Sequence, residues 1–119
     1  MDFDNNRPIY IQLVEDFKIK ISTGKWKAGD KIDSVRNLAT TYKVNPNTIQ
    51  RALTELEREG LCESRRTIGR FVTEDKEKIK SLSNRAFESF ADDFISGMES
   101  LKIKKEDALE ELTNYWEEL

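Results

Sequence analysis

Four polar side chains recur on one side of residues 44–60, VNPNTIQRALTELEREG: Asn47, Arg51, Thr54 and Arg58, with Gln50 at their edge. At 100° per residue they point away from Ile49, Ala52, Leu53 and Leu56, whose i, i+3, i+4, i+7 spacing marks a buried stripe. Amides suit bidentate bonding to adenine and guanidinium groups to guanine. A helix led by such groups can therefore reach base edges in a DNA groove. Polar outward faces are also the ordinary state of surface helices, so the flanking elements must decide.

Catalytic chemistry has little to work with. The chain has no histidine, no glycine-rich phosphate loop and one cysteine. A side-chain nucleophile needs a neighbouring base and a metal site needs several ligands, so neither an enzyme nor a cofactor is expected. Cys62 stands on an apolar-polar alternation and reads as a small core residue, and an intramolecular disulfide is ruled out.

The elements that must position this face are punctuated locally. Residues 1–7 lack periodicity and read as a loose arm. Pro8 opens a helix with the stripe Tyr10, Leu13, Val14, Phe17 and Ile21, ended by Thr23 and Gly24. A turn-rich connector follows, with Trp26 closing over the core edge and an extended piece at Lys31 and Ile32 that can pair with a later strand. Ser34 is the expected N-cap of a short helix with Val35, Leu38, Ala39 and Tyr42 buried and Arg36 beside them in its first turn. Only three residues then precede Pro46, with Asn45 as the next N-cap and, beside Asn47 and Gln50, a candidate DNA contact, and so short a connection is a helix-turn-helix whose second helix is the recognition candidate. Gly60 supplies the stop. Beyond it, residues 61–64 and 71–73 form a hairpin around a basic loop at residues 65–70 that carries Arg65, Arg66 and Arg70. The expected fold is mainly α, an α+β winged helix-turn-helix over residues 8–73, with the hairpin tip following the backbone or minor groove.

Charge divides the chain at the same place. Residues 1–73 hold 13 Lys/Arg against 10 Asp/Glu, and residues 74–119 hold 7 against 13, although the whole chain is −3. A charged fraction of 36% beside 37% hydrophobic residues fits a soluble, mainly helical protein. No apolar run reaches membrane-spanning length and no signal pattern opens the chain, so a cytoplasmic protein without a membrane partner is expected. In residues 74–119 a stripe from Ile79 to Leu101 is followed by a bend at residues 102–104 and a second amphipathic helix. Phe87, Phe90, Phe94, Met98, Leu112 and Trp116 make a wider apolar surface than a helix pair buries alone, which points to a two-helix homodimerisation tail. The competing arrangement folds both helices back on their own winged helix.

Residues 8–10 (PIY) with Gln12, residues 24–31 (GKWKAGDK), 34–39 (SVRNLA), Asn47 and Thr48, residues 56–61 (LEREGL) and 69–72 (GRFV) resemble the GntR family of bacterial transcriptional regulators. The short tail and residues 45–48 (NPNT) look like its YtrA subfamily, whose members are dimers and often control operons for membrane transporters. The resemblance implies sequence-specific binding, usually repression, at two-fold symmetric operators in double-stranded DNA. It also implies DNA contacts at Ser34 and Arg36, a phosphate contact at Thr48, and a minor-groove wing contact at Gly69. Two departures stand out. Pro46 and Gln50 occupy positions where many relatives carry arginines, and Thr67 and Arg70 stand where a glycine and a threonine are more usual. With 46 residues after Thr73 there is no room for the larger effector domains of the family, so an unknown small-molecule effector would sit between the tail helices, at the dimer interface, or be absent.

Three alternatives accompany this reading. Arg51 can pair with Glu55 four residues on instead of meeting DNA. The wing arginines can pair with acids such as Glu63, each pair contributing less than about 1 kcal/mol. The winged helix as a whole can be a protein-interaction module without DNA-binding activity.

Overall fold

The computed structural model describes all 119 residues. Its elements in chain order are α1 (Ile9–Ser22), α2 (Val35–Tyr42), α3 (Pro46–Arg58), β1 (Cys62–Arg65), β2 (Gly69–Val72), α4 (Lys76–Ser100) and α5 (Lys105–Glu118). Two compact units divide them, Met1–Ser83 and Asn84–Leu119. The first two turns of α4 therefore belong with the winged helix, because Ile79 and Leu82 pack against its core. The change in composition after Thr73 marks where the helix begins. Packing continues ten residues further.

In the first unit three short helices surround one core. Leu13, Phe17 and Ile21 of α1 meet Leu38 and Tyr42 of α2 and Ile49, Ala52, Leu53 and Leu56 of α3. Phe17 lies at the centre, stacked on Trp26 with ring centroids 5.0 Å apart and met edge-on by Tyr42 at 5.6 Å. Trp26 thus closes the core edge as its position in the connector suggested. The helices begin and end where their capping residues stand. Ser34 accepts a hydrogen bond from the Asn37 N–H and Asn45 from that of Asn47, while Gly60, at φ +76°, ends α3.

The hairpin pairs Cys62 with Val72, Glu63 with Phe71, Ser64 with Arg70, and Arg65 with Gly69. Residues alternate between faces, so Cys62 and Val72 turn inward to the core and Ser64 and Arg70 share their side. The connector forms a third, short partner: the Ile32 N–H bonds the Arg70 carbonyl and the Val72 N–H bonds the Asp30 carbonyl, both at 2.8 Å. Two expectations need correction here. The basic loop is only residues 66–68, since the backbone ladder continues to Arg65 and Gly69 and the Ile68 N–H closes the turn on the Arg65 carbonyl. Nor are residues 1–7 a loose arm. The buried Gln12 amide accepts from the Asp4 N–H and donates to the Asp4 and Arg7 carbonyls, and Phe3 packs on the core. A buried amide must fill its hydrogen bonds, and the N-terminal segment is what fills these.

The second unit is helical. No residue of α4 is buried, and Ala108 is the one buried residue of α5. Of the six residues expected at a dimer face, Phe94, Met98 and Leu112 are half-buried, whereas Phe87 and Phe90 are each 72% exposed and Trp116 70%. No helix is long and apolar enough to cross a membrane.

Candidate nucleic-acid interface

The outer face of α3 is built by its inner one. Ile49, Ala52 and Leu56 are completely buried, which fixes the helix rotation and leaves Asn47, Gln50, Arg51, Thr54 and Arg58 exposed. The side chains of Asn47, Gln50 and Thr54 make no hydrogen bond within the chain, so their donors and acceptors stand free. Asn45 differs: its side-chain oxygen is committed to the cap at 2.7 Å. Thr48 is half-buried, one step from the core-facing Ile49.

The start of α2 lies near the hairpin. Lys31, Asp33, Ser34 and Asn37 line an open groove of about 640 Å³ together with Leu53 of α3 and Ile68, Gly69 and Arg70 of the wing. The Asp33 carboxylate accepts from the Ser34 N–H and the Asn37 side chain, each at 2.9 Å, while Ser34 accepts from the Asn37 N–H at 3.1 Å. These bonds hold the first turn. Arg36, exposed on that turn, engages no carboxylate and keeps its full charge for another partner.

The three wing arginines separate into different roles. Arg66, in the turn, is exposed and unpaired. Arg65 pairs with Glu63 at 3.1 Å and lies 4.2 Å from the Phe71 ring centroid on the outer face of the hairpin. Arg70 is only 19% exposed and bonds Glu57 of α3 at 3.3 Å. The alternative in which wing arginines pair with surface acids describes two of the three, Arg65 and Arg70. Glu63 was visible as a neighbour in the chain, but Glu57 was not. Its signal was Leu53, one helical turn earlier on the flank of the buried stripe that carries the hairpin.

Two backbone positions shape the wing. Gly69 has φ +132°, and a Cβ there would sit 3.0 Å from Cε of Lys31. Thr67 has φ +65°, a conformation in which a β-branched residue is strained. The turn that lacks the usual glycine therefore forms at some energetic cost. Lys31 emerges as a further cation beside the wing, a position that periodicity alone did not single out.

Arg51 does not pair with Glu55, the acid four residues on in α3. Its guanidinium lies 3.8 Å from the Tyr10 ring centroid of α1, and Glu55 is taken by Arg58. Tyr10 lies on the core stripe of α1 but is only half-buried, which leaves its ring open to this cation. Behind this surface, the Tyr42 hydroxyl donates to Asp16 at 2.6 Å and Lys20 bonds the same oxygen at 2.9 Å. Burial would raise the Asp16 pKa, but these two donors offset it and hold the carboxyl below its usual range. Cys62 is buried, and desolvation pushes its thiol up to about 11. It remains a protonated core residue.

Residues 9–72 match the family described as bacterial regulatory proteins, gntR family. The chain is 36% identical over 115 residues to the uncharacterised regulator YhcF of Bacillus subtilis (strain 168), covering 97% of this chain and 95% of that protein. It is 43% identical over 75 residues to the transcriptional repressor YtrA of the same organism, covering 63% of this chain and 58% of the relative. Among solved structures, a GntR family transcriptional regulator from Listeria monocytogenes aligns with a TM-score of 0.89 at 43% identity, over 94% of this chain and 98% of that one.

Proposed function

The chain belongs to the GntR family of bacterial transcriptional regulators, and from that premise we propose that it is a cytoplasmic repressor that binds a two-fold symmetric operator as a homodimer. The observation that carries the DNA-binding mode is the outer face of α3, where Asn47, Gln50 and Thr54 present unpartnered polar groups from a helix whose rotation is fixed by the buried Ile49 and Leu53. This face enters the major groove. Arg36 at the start of α2 and Arg66 in the wing supply unneutralised charge, with Ser34 and Thr48 close to the backbone and Gly69 at the minor groove. Because the amides favour adenine, the α3 half of each half-site leans towards A·T pairs.

Dimerisation rests on the tail. Phe87, Phe90 and Trp116 are exposed in the single chain, and an apolar surface of this kind on a soluble protein marks an interaction site. A second copy related by a two-fold axis would place two recognition helices for half-sites spaced by about one DNA turn or a multiple of it. An effector, if one acts, would bind at that interface.

Selection of duplexes from a random pool by the purified chain tests the mode of reading. The expected yield is inverted repeats with A·T-rich positions under Asn47 and Gln50. Sites dominated by guanine at those positions would overturn it. Arg36→Ala should weaken the selected duplex by about 1–3 kcal/mol if the guanidinium bonds a base, or reduce the salt slope by about one unit if it holds a phosphate.

A further inference from the structure

We propose that Glu57 is a positioning residue for DNA binding, a strap that fixes the wing to the recognition helix, and that Arg70 belongs to this strap and not to the charges that meet phosphate. The inference rests on the DNA-binding reading above and adds to it a residue that contacts no DNA.

The geometry is specific. Oε1 of Glu57 accepts from the Ser64 hydroxyl at 2.6 Å and from Nε of Arg70 at 3.3 Å. Ser64 and Arg70 are cross-strand partners, so one carboxylate oxygen holds both strands at a single rung. That rung is one pair away from Arg65 and Gly69, where the turn begins. A two-stranded hairpin is marginal by itself, and below this rung it is secured by the buried Cys62 and Val72. Above it, no core contact remains. Glu57 therefore sits at the last point where the recognition helix can determine where the wing tip lies.

Charge makes the proposal testable by its sign. A carboxylate near a DNA-binding face repels phosphate, and removing it should tighten binding if it does nothing else. A strap predicts the reverse. Glu57→Ala should weaken binding to a selected duplex about tenfold, since a hydrogen bond to a charged group is lost at each strand, although the variant gains one positive unit of net charge. Arg70→Ala should weaken it similarly without changing the salt slope, whereas Arg66→Ala should lower that slope by about one unit. The double variant should lose no more than Glu57→Ala alone, because that change already removes the contact through which Arg70 acts.

Fluorescence anisotropy at several salt concentrations reads these outcomes, using the selected duplex and a random-sequence duplex with the full-length chain. Thermal melts establish that each variant is folded at the binding temperature. Unchanged or tighter binding by Glu57→Ala overturns the strap, as does an Arg70→Ala slope reduced like that of Arg66→Ala. If the wild-type chain shows no salt-dependent binding to either duplex, the DNA-binding reading itself fails and the strap falls with it.

Discussion

The winged-helix unit and the tail carry the same kind of sequence pattern with opposite results. In α3, apolar residues at three- and four-residue spacing are completely buried. In α4, the same spacing leaves Phe87 and Phe90 mostly exposed. The difference lies in what surrounds each helix. Two helices and a hairpin converge on α3 from several directions within one short stretch of chain, whereas nothing in α4 or α5 encloses the aromatic stripe. Periodicity states which residues share a face. It does not state what covers that face.

The largest effect that distinguishes the two regions is expected in the first. Leu56→Ala should cost about 2–5 kcal/mol, because it opens a cavity in a closed core, and the loss in thermal unfolding should be the same at all protein concentrations. Phe90→Ser should instead leave helix content nearly unchanged and shift the association equilibrium by about 2 kcal/mol or more, as for a residue at the centre of an interface. Sedimentation would show the shift towards monomer, and the concentration dependence of the wild-type Tm should disappear with it. A Phe90→Ser protein that stays dimeric would break the comparison, since the stripe would then not be what joins the copies.

Smaller effects probe the edges of the first unit. Asp16, held below its usual pKa by Tyr42 and Lys20, contributes stability that is present above the unfolded carboxyl pKa of about 3.9 and is lost as pH falls through the folded value. Asp16→Asn should therefore be less stable than wild type at pH 6, and the gap should close in acid. Tyr42 and Lys20 have the opposite sign. Both are raised, so their contribution is present below about pH 10 and declines as pH rises through the folded values. The smallest change is expected at the wing turn, where Thr67→Gly should add about 0.5 kcal/mol. It removes the left-handed strain of a β-branched residue and gives part of that back as backbone entropy. A destabilising result in urea titration would mean that the Thr67 hydroxyl, bonded to the Arg66 carbonyl at 2.6 Å, outweighs the strain.

Most of the first unit was legible from residues acting within one turn of chain. Ser34, Asn45, Pro46 and Gly60 specify helix ends through hydrogen bonds and dihedral angles that involve only their neighbours. The stripes of α1, α2 and α3 follow from helical geometry alone, as does the exposure of Asn47 and Gln50. The hairpin was legible as well, but its register was not. Sequence alternation left Arg65 and Arg70 in a loop, while pairing across the strands drew both into the ladder.

The chain's residues by themselves thus determined the helix boundaries, the winged helix-turn-helix order and the polar face of α3, because each depends on interactions between residues a few positions apart. Tertiary structure alone decided which charges remain available. Arg70 meets Glu57 thirteen positions away, Arg51 meets Tyr10 across two helices, and Gln12 takes up residues 1–7. Arg36 and Arg66 are left without partners. No local pattern encodes such pairings, since they arise when the core brings distant surfaces into contact and each side chain takes the nearest complementary group.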